Sequence, residues 1–339
     1  MVNGISILVQ SPRYGLLILV ILLITVGMAS VGVGAASIPF PEVISAFMGG
    51  ELSVVNRTIL VDIRLPRTLL AVLVGAGVAT SGAAIQGLFR NPLADPALIG
   101  VSGGAAVFAA GYLVLGAESG LSYFGLSGSA FIGGLLTTWL VVEIGRRGGT
   151  ISSMLLAGIA INAVALSAVG IFSYLSTDGE LRSVAFWALG SLNGADWTSV
   201  AIAGLILIAI AFFYSRSEKL NVITLGDTEA GHLGISVPRL RIEIVVFTAL
   251  ATGISVALCG VIAFIGLVVP HLIRLTLGSN HYVVLPGSAL LGASLLLLAD
   301  LLSRTLLRPA ELPVGIITAL LGGPFFIYLI VRQKGRLGL

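Results

Sequence analysis

The apolar stretches of this chain are too long and too lightly interrupted for a water-soluble core. They run at roughly 14–34, 66–87, 97–116, 127–145, 152–175, 197–214, 241–259, 261–277, 284–303 and 314–331. Each is long enough, or nearly so, to cross a bilayer, where a helix needs about 20 predominantly apolar residues. With 57% hydrophobic and only 10% charged residues, a bilayer is the natural solvent. The 44 glycines then read as points of close helix approach rather than as loops. The expected fold is an all-α polytopic membrane protein of about ten transmembrane helices, with residues 1–339 forming one transmembrane domain. The stretch 241–277 divides into two spans, with the reversal near Cys259-Gly260.

The first apolar run is longer than the usual signal core of about 7–15 residues. It is expected to remain as a span, although Gly34-Ala35-Ala36 resembles a cleavage site. The single cysteine, Cys259, excludes an internal disulfide and a Cys-based metal cluster. The net charge of +3 is small and scattered, so no nucleic-acid partner is expected.

Orientation follows from the basic residues, which favour the cytoplasmic side. With both termini in the cytoplasm, twelve of the 18 Lys and Arg fall inside. The outer six are Arg57, Arg64, Arg67, Arg182, Arg304 and Arg308. These run against the asymmetry and call for a reason.

The chain has no visible energy source of its own. Its two lysines, Lys219 and Lys334, are followed by Leu and Gly, whereas a P-loop requires Lys followed by Ser or Thr within a Gly-rich turn. ATP hydrolysis therefore belongs elsewhere, and the chain reads as a translocation subunit rather than an enzyme. Asp62, Asp95, Asp196, Asp300 and Glu311 sit at or near span ends. Ion-driven transporters carry ionisable groups inside the membrane as relays. Their scarcity inside the spans argues against an ion-coupled secondary transporter, which stands as the second reading, with Asp300 or Glu311 as its coupling group.

One hydrophilic island interrupts the apolar pattern, Leu220 to Arg241. Its glycines, Gly226, Gly231 and Gly234, predict short amphipathic helices broken at glycines and resting on the cytoplasmic face. A membrane core driven by a soluble motor needs such a surface.

Several longer motifs carry a resemblance. Ile63-Arg64-Leu65-Pro66-Arg67-Thr68, the run from Ser81 to Pro96 that contains Gly87-Leu88-Phe89-Arg90-Asn91-Pro92-Leu93-Ala94-Asp95, and Phe264-Ile265-Gly266-Leu267-Val268-Val269-Pro270-His271 resemble the FecCD family of permeases. So do Leu298-Ala299-Asp300 and Glu311-Leu312-Pro313-Val314-Gly315. These are membrane subunits of type II ABC importers for haem, vitamin B12 and ferric siderophores, and the match runs from about Arg64 to Arg332. The resemblance implies a homodimer in the bacterial cytoplasmic (inner) membrane, with the pore on its axis. It implies two separate ATP-binding subunits, which hold ATP and Mg, and an extracytoplasmic substrate-binding protein. No cofactor is expected on this chain.

The resemblance also assigns roles. Residues 220–238 become coupling helices that enter a cleft on the ATPase, with Gly226, Glu229, Ala230, Leu233, Gly234 and Ile235 as the contact motif. Arg64, Arg67 and Arg304 become outer docking residues, for which the planar guanidinium fork suits partner carboxylates. Snorkelling to lipid phosphate is the plainer reading of the same arginines. Asn91, Leu93, Ser152 and Ser153 fall in the cytoplasmic gate, although Asn-Pro turns and serine caps are also ordinary. Between spans five and six, Thr177-Asp178 and Leu181-Arg182 followed by Phe186-Trp187 most resemble haem permeases. Arg182 would meet a propionate there, and Phe186 or Trp187 an apolar ring. Haem is therefore the first substrate reading, with vitamin B12 and ferric siderophore behind it. His232, His271 and His281 lack a second ligand at metal spacing, so no metal site is expected.

Overall fold

The computed structural model describes residues 12–34, 42, 53–116, 122–148 and 150–337. Both chain ends and the Ala35-Ala36 part of the cleavage-like motif lie outside the described residues. Every regular element among the described residues is helical. In chain order the helices are α1 (Pro12–Gly32), α2 (Leu65–Phe89), α3 (Val101–Leu115), α4 (Tyr123–Gly148), α5 (Ile151–Leu175), α6 (Asp178–Ala188) and α7 (Trp197–Ala203). They continue as α8 (Ile206–Ser215), α9 (Ser217–Ile223), α10 (Asp227–His232), α11 (Val237–Cys259), α12 (Ile265–Leu277), α13 (His281–Ser303) and α14 (Val314–Leu337). A short helix, Val54–Arg57, and π-helical turns, Thr58–Arg64, lead into α2.

Seven helical stretches are long and apolar enough to cross a membrane: Pro12–Gly32, Val54–Phe89, Tyr123–Gly148, Ser152–Leu175, Trp197–Ser215, Val237–Cys259 and His281–Ser303. Three shorter apolar helices, Val101–Leu115, Ile265–Leu277 and Val314–Tyr328, occupy the other three expected stretches. The shortening has local causes. Asp95 caps a 3-10 turn, Pro96–Ile99, and regular helix starts only after Gly100 at φ 84°. The division of 241–277 falls where expected. Gly260 (φ 69°) ends α11, and Phe264 (φ 67°) precedes α12. The span near 197–214 is broken at Gly204-Leu205 into α7 and α8.

Helix α2 is the hub. It is buried along almost its whole length, against α13, α11, α12 and α8. Small residues make this possible, because membrane helices gain from close backbone approach rather than from expelling water. A Cβ built on Gly75 would lie 2.5 Å from the Gly292 carbonyl oxygen, and one on Gly82 only 1.8 Å from that of Gly266. Helices α3 and α4 cross in the same way at Gly104 and Gly133. Helix α5 is the opposite case, with large apolar side chains such as Leu156, Val164, Leu166 and Ile171 exposed along it.

Candidate functional site

The hydrophilic island folds as the two short helices α9 and α10, separated at Gly226 (φ 135°). Glu229 lies over this turn, since a Cβ on Gly226 would meet its Oε2 at 2.0 Å. Helix α10 ends with Gly234 left-handed (φ 80°). The Ile235 amide donates to the Ala230 carbonyl at 3.0 Å, the long reverse bond of a Schellman-type cap. The six motif residues therefore divide by placement. Glu229, Leu233 and Gly234 face out, Ala230 is fully buried, Ile235 is half-buried, and Gly226 makes the turn. Leu225 and Leu233 are 67% and 64% exposed beside Glu229, an apolar pair that a partner cleft would cover.

Asp227, at the start of α10, joins this island to two other elements. Its carboxylate accepts from Arg241 on α11 and pairs with Arg90 at 3.1 Å. Arg90 ends α2 in the left-handed region (φ 50°), which is uncommon for a non-glycine residue. Asn91 comes next, its amide donating to the Gln86 carbonyl at 3.1 Å and its Oδ1 accepting from the Leu93 amide at 2.9 Å. A second tie runs through Asn221 of α9. Its Oδ1 lies 2.8 Å from both the backbone amide and Nδ1 of His281. The His281 ring abuts Gly87 of α2. The island is thus fastened at two points to the last turn of α2, where Asn91 begins.

Asn91 and Leu93 are exposed. Ser152 is exposed, and Ser153 closes a capping box with Thr150, each backbone amide donating to the other's hydroxyl at 3.1 and 3.3 Å. The cap of α5 is therefore Thr150, with Ser153 as its reciprocal partner. The same helix holds the 3-10 turn after Asp95. Asn162 donates to the Ala97 carbonyl at 2.9 Å, and Gly158 packs on the Leu98 carbonyl.

The arginines expected at the outer face sit otherwise than as open forks. Arg64, Arg67 and Arg304 are all buried. Arg67 Nε donates to Asp300 Oδ1 at 2.9 Å, and its Nη1 donates to Glu311 Oε2, also at 2.9 Å. Arg304 pairs with Asp300 Oδ2 at 3.3 Å, and its Nη2 donates to the Ser30 carbonyl at 2.8 Å. Arg64 donates to the carbonyls of Val31 and Gly32 at 2.9 Å each. Two of the three therefore cap the last carbonyls of α1, groups that a helix end leaves without partners. The third is held between two carboxylates of its own chain. Charge asymmetry finds these residues but does not show that Asp300, wholly buried, sits between two of them.

On α6, capped by a Thr177–Glu180 box, Arg182 and Phe186 are exposed at positions i and i+4 of one face. Trp187 turns inward and packs against two small apolar clusters. Of the two aromatics, Phe186 is the one presented.

These features define a multi-pass helical membrane protein with a polar two-helix island tied to its central helix. Residues 20–332 match the FecCD transport family. The chain belongs to that family. It is 44% identical over 327 residues to the hemin transport system permease protein HmuU of Yersinia pestis, covering 95% of this chain and 97% of that one. It is 41% identical over 288 residues to the vitamin B12 import system permease protein BtuC of Klebsiella pneumoniae, covering 85% of this chain and 87% of that one. A solved structure described as an inward-facing conformation of a metal-chelate type ABC transporter superposes with a TM-score of 0.86. It shares 32% identity and covers 95% of this chain and 100% of its own. The relatives are permease subunits, in agreement with the absence of a P-loop from this sequence.

Proposed function

We propose that this chain is the permease subunit of an ATP-driven importer that moves haem across the bacterial cytoplasmic membrane by alternating access. It works as a homodimer with two ATPase subunits and an extracytoplasmic binding protein. The observation that carries the mechanism is the Arg90–Asp227–Arg241 tie. Movement of an ATPase against Leu225, Glu229 and Leu233 tilts α10, and Asp227 transfers that tilt to the end of α2 and to Asn91-Pro92-Leu93. The loop then opens or closes against the start of α5 at Ser152 and Ser153. In this reading the ten apolar stretches all cross the bilayer, with both termini inside.

At the outer face, Glu311 is the exposed edge of the arginine cluster. A carboxylate of the docking protein displaces it from Arg67, while Arg64 and Arg304 hold the end of α1. Haem is favoured over vitamin B12 by the higher identity and coverage of the hemin permease match. The exposed Arg182–Phe186 pair, one cation for a propionate and one ring for a macrocycle face, supports the same choice. Vitamin B12 remains the second reading, on the strength of the BtuC similarity. A secondary transporter is disfavoured because Asp300 is committed to two arginines. The deciding experiment is reconstitution with the ATPase subunit and haem-loaded, cobalamin-loaded or empty binding protein. Haem-dependent ATP hydrolysis and uptake, lost in Glu229→Ala, support the proposal. Uptake of cobalamin alone transfers it to the second reading, and hydrolysis that no loaded binding protein stimulates refutes it.

A further inference from the structure

Beside the island, on the side that carries most of the basic residues, lies a cavity of about 320 Å³ between α9 and the start of α11. Its lining includes Arg216, Lys219, Ser236, Arg239 and Glu243. Three cations there face one carboxylate. Glu243 is shared, at 3.0 Å from Arg216 Nε and 3.1 Å from Arg239 Nε. Lys219 is exposed and has no ion pair or hydrogen bond among the described residues. The cavity keeps two positive charges in excess.

What lies beneath it is apolar. Arg216 rests over the Phe212 ring at 4.7 Å, and Phe212 stacks on Phe247 at 3.7 Å between ring centres. Further down the same two helices, Ile208 of α8 and Val246 of α11 are exposed to the surroundings. Four residues separate Ile208 from Phe212 and Phe212 from Arg216, and Arg239, Glu243 and Val246 likewise share one helix face. A cationic cup above an aromatic step and exposed aliphatic side chains has the polarity of an anionic phospholipid, headgroup above chain. Basic pockets between membrane helices on the cytoplasmic side take such headgroups.

We propose that this cup is a binding site for an anionic phospholipid of the cytoplasmic leaflet. The phosphodiester sits among Lys219, Arg239 and Arg216, and an acyl chain lies along Ile208 and Val246. Because Gly234 and Ser236 form part of the rim, the bound lipid braces the turn between α10 and α11. The site stands independently of the transported substrate.

The test is native mass spectrometry of the full chain, exchanged into equal phosphatidylglycerol and phosphatidylcholine. Wild type is expected to retain one phosphatidylglycerol selectively. Lys219→Gln combined with Arg239→Gln should lower that selectivity by about tenfold or more, since each basic residue near an anionic surface counts severalfold. Arg13→Gln with Arg147→Gln, neither of which lines the cup, should leave it unchanged. Reaction of a thiol dye with buried Cys259 on heating checks that both variants are folded. Equal selectivity in all three proteins, or equal loss in both variants, overturns the site. Displacement by millimolar inorganic phosphate overturns the lipid as its occupant, and so does stoichiometric release on adding the ATPase subunit.

Discussion

Asp300→Ala tests the outer cluster most directly. The carboxylate has no exposed surface, and it pairs with Arg67 at 2.8 Å and Arg304 at 3.3 Å. Arg67 and Arg304 are themselves buried, so water cannot take the place of the lost charge. Removing one partner of a buried pair costs about 3–5 kcal/mol, because the remaining charge stays uncompensated. Here two cations are left with only the partly exposed Glu311. That loss is a large share of a total stability of about 5–15 kcal/mol. Cys259 is the single cysteine and is buried, so the rate and midpoint of its labelling by a thiol dye report unfolding in detergent. Asp300→Ala should unfold well before wild type. Asp300→Leu with Arg67→Met and Arg304→Met should recover most of the difference, since replacing a whole buried cluster with apolar groups is often neutral. A stability for Asp300→Ala within about 0.5 kcal/mol of wild type would refute the reasoning, and so would a triple variant no better than the single one.

Asp227→Asn should leave stability nearly unchanged, because partly exposed ion pairs contribute about 0–1 kcal/mol. In proteoliposomes it should nonetheless lower the uptake achieved per ATP hydrolysed. Arg90→Gln should reproduce this, and the double variant should be no worse than either single one. Gly82→Ala places a Cβ against the Gly266 carbonyl, a backbone atom. Overpacking of about 1–3 kcal/mol or more should appear as lower yield and earlier Cys259 labelling. Thr150→Ala removes the cap of α5, worth about 1 kcal/mol, and should speed amide exchange in its first turn.

Much of the molecule is legible in its amino-acid sequence. Apolar stretches of span length report helices in a bilayer whatever their neighbours, because each helix satisfies its own backbone hydrogen bonds. The helix end near Gly260 and the breaking of the island at a glycine are readable for a related reason. Glycine marks backbone conformations that other residues resist. The family motifs are local strings, so they too are visible in one dimension.

Pairing is not. Arg67 and Asp300 are 233 residues apart in the chain, and no periodicity connects them. The outer arginines stand out against the charge asymmetry, but their partners within the chain do not. The fold brings Asp300, Glu311 and the carbonyl end of α1 to them. In the sequence Asp227 is one acid in a polar island, and folding sets it between Arg90 and Arg241. Composition and spacing determined that this chain is built of membrane-length apolar helices, lacks a P-loop and carries one hydrophilic island. Tertiary structure decided which charges neutralise one another and to which helices the island is tied. Those contacts depend on distances set by glycine-to-glycine crossings between helices far apart in sequence.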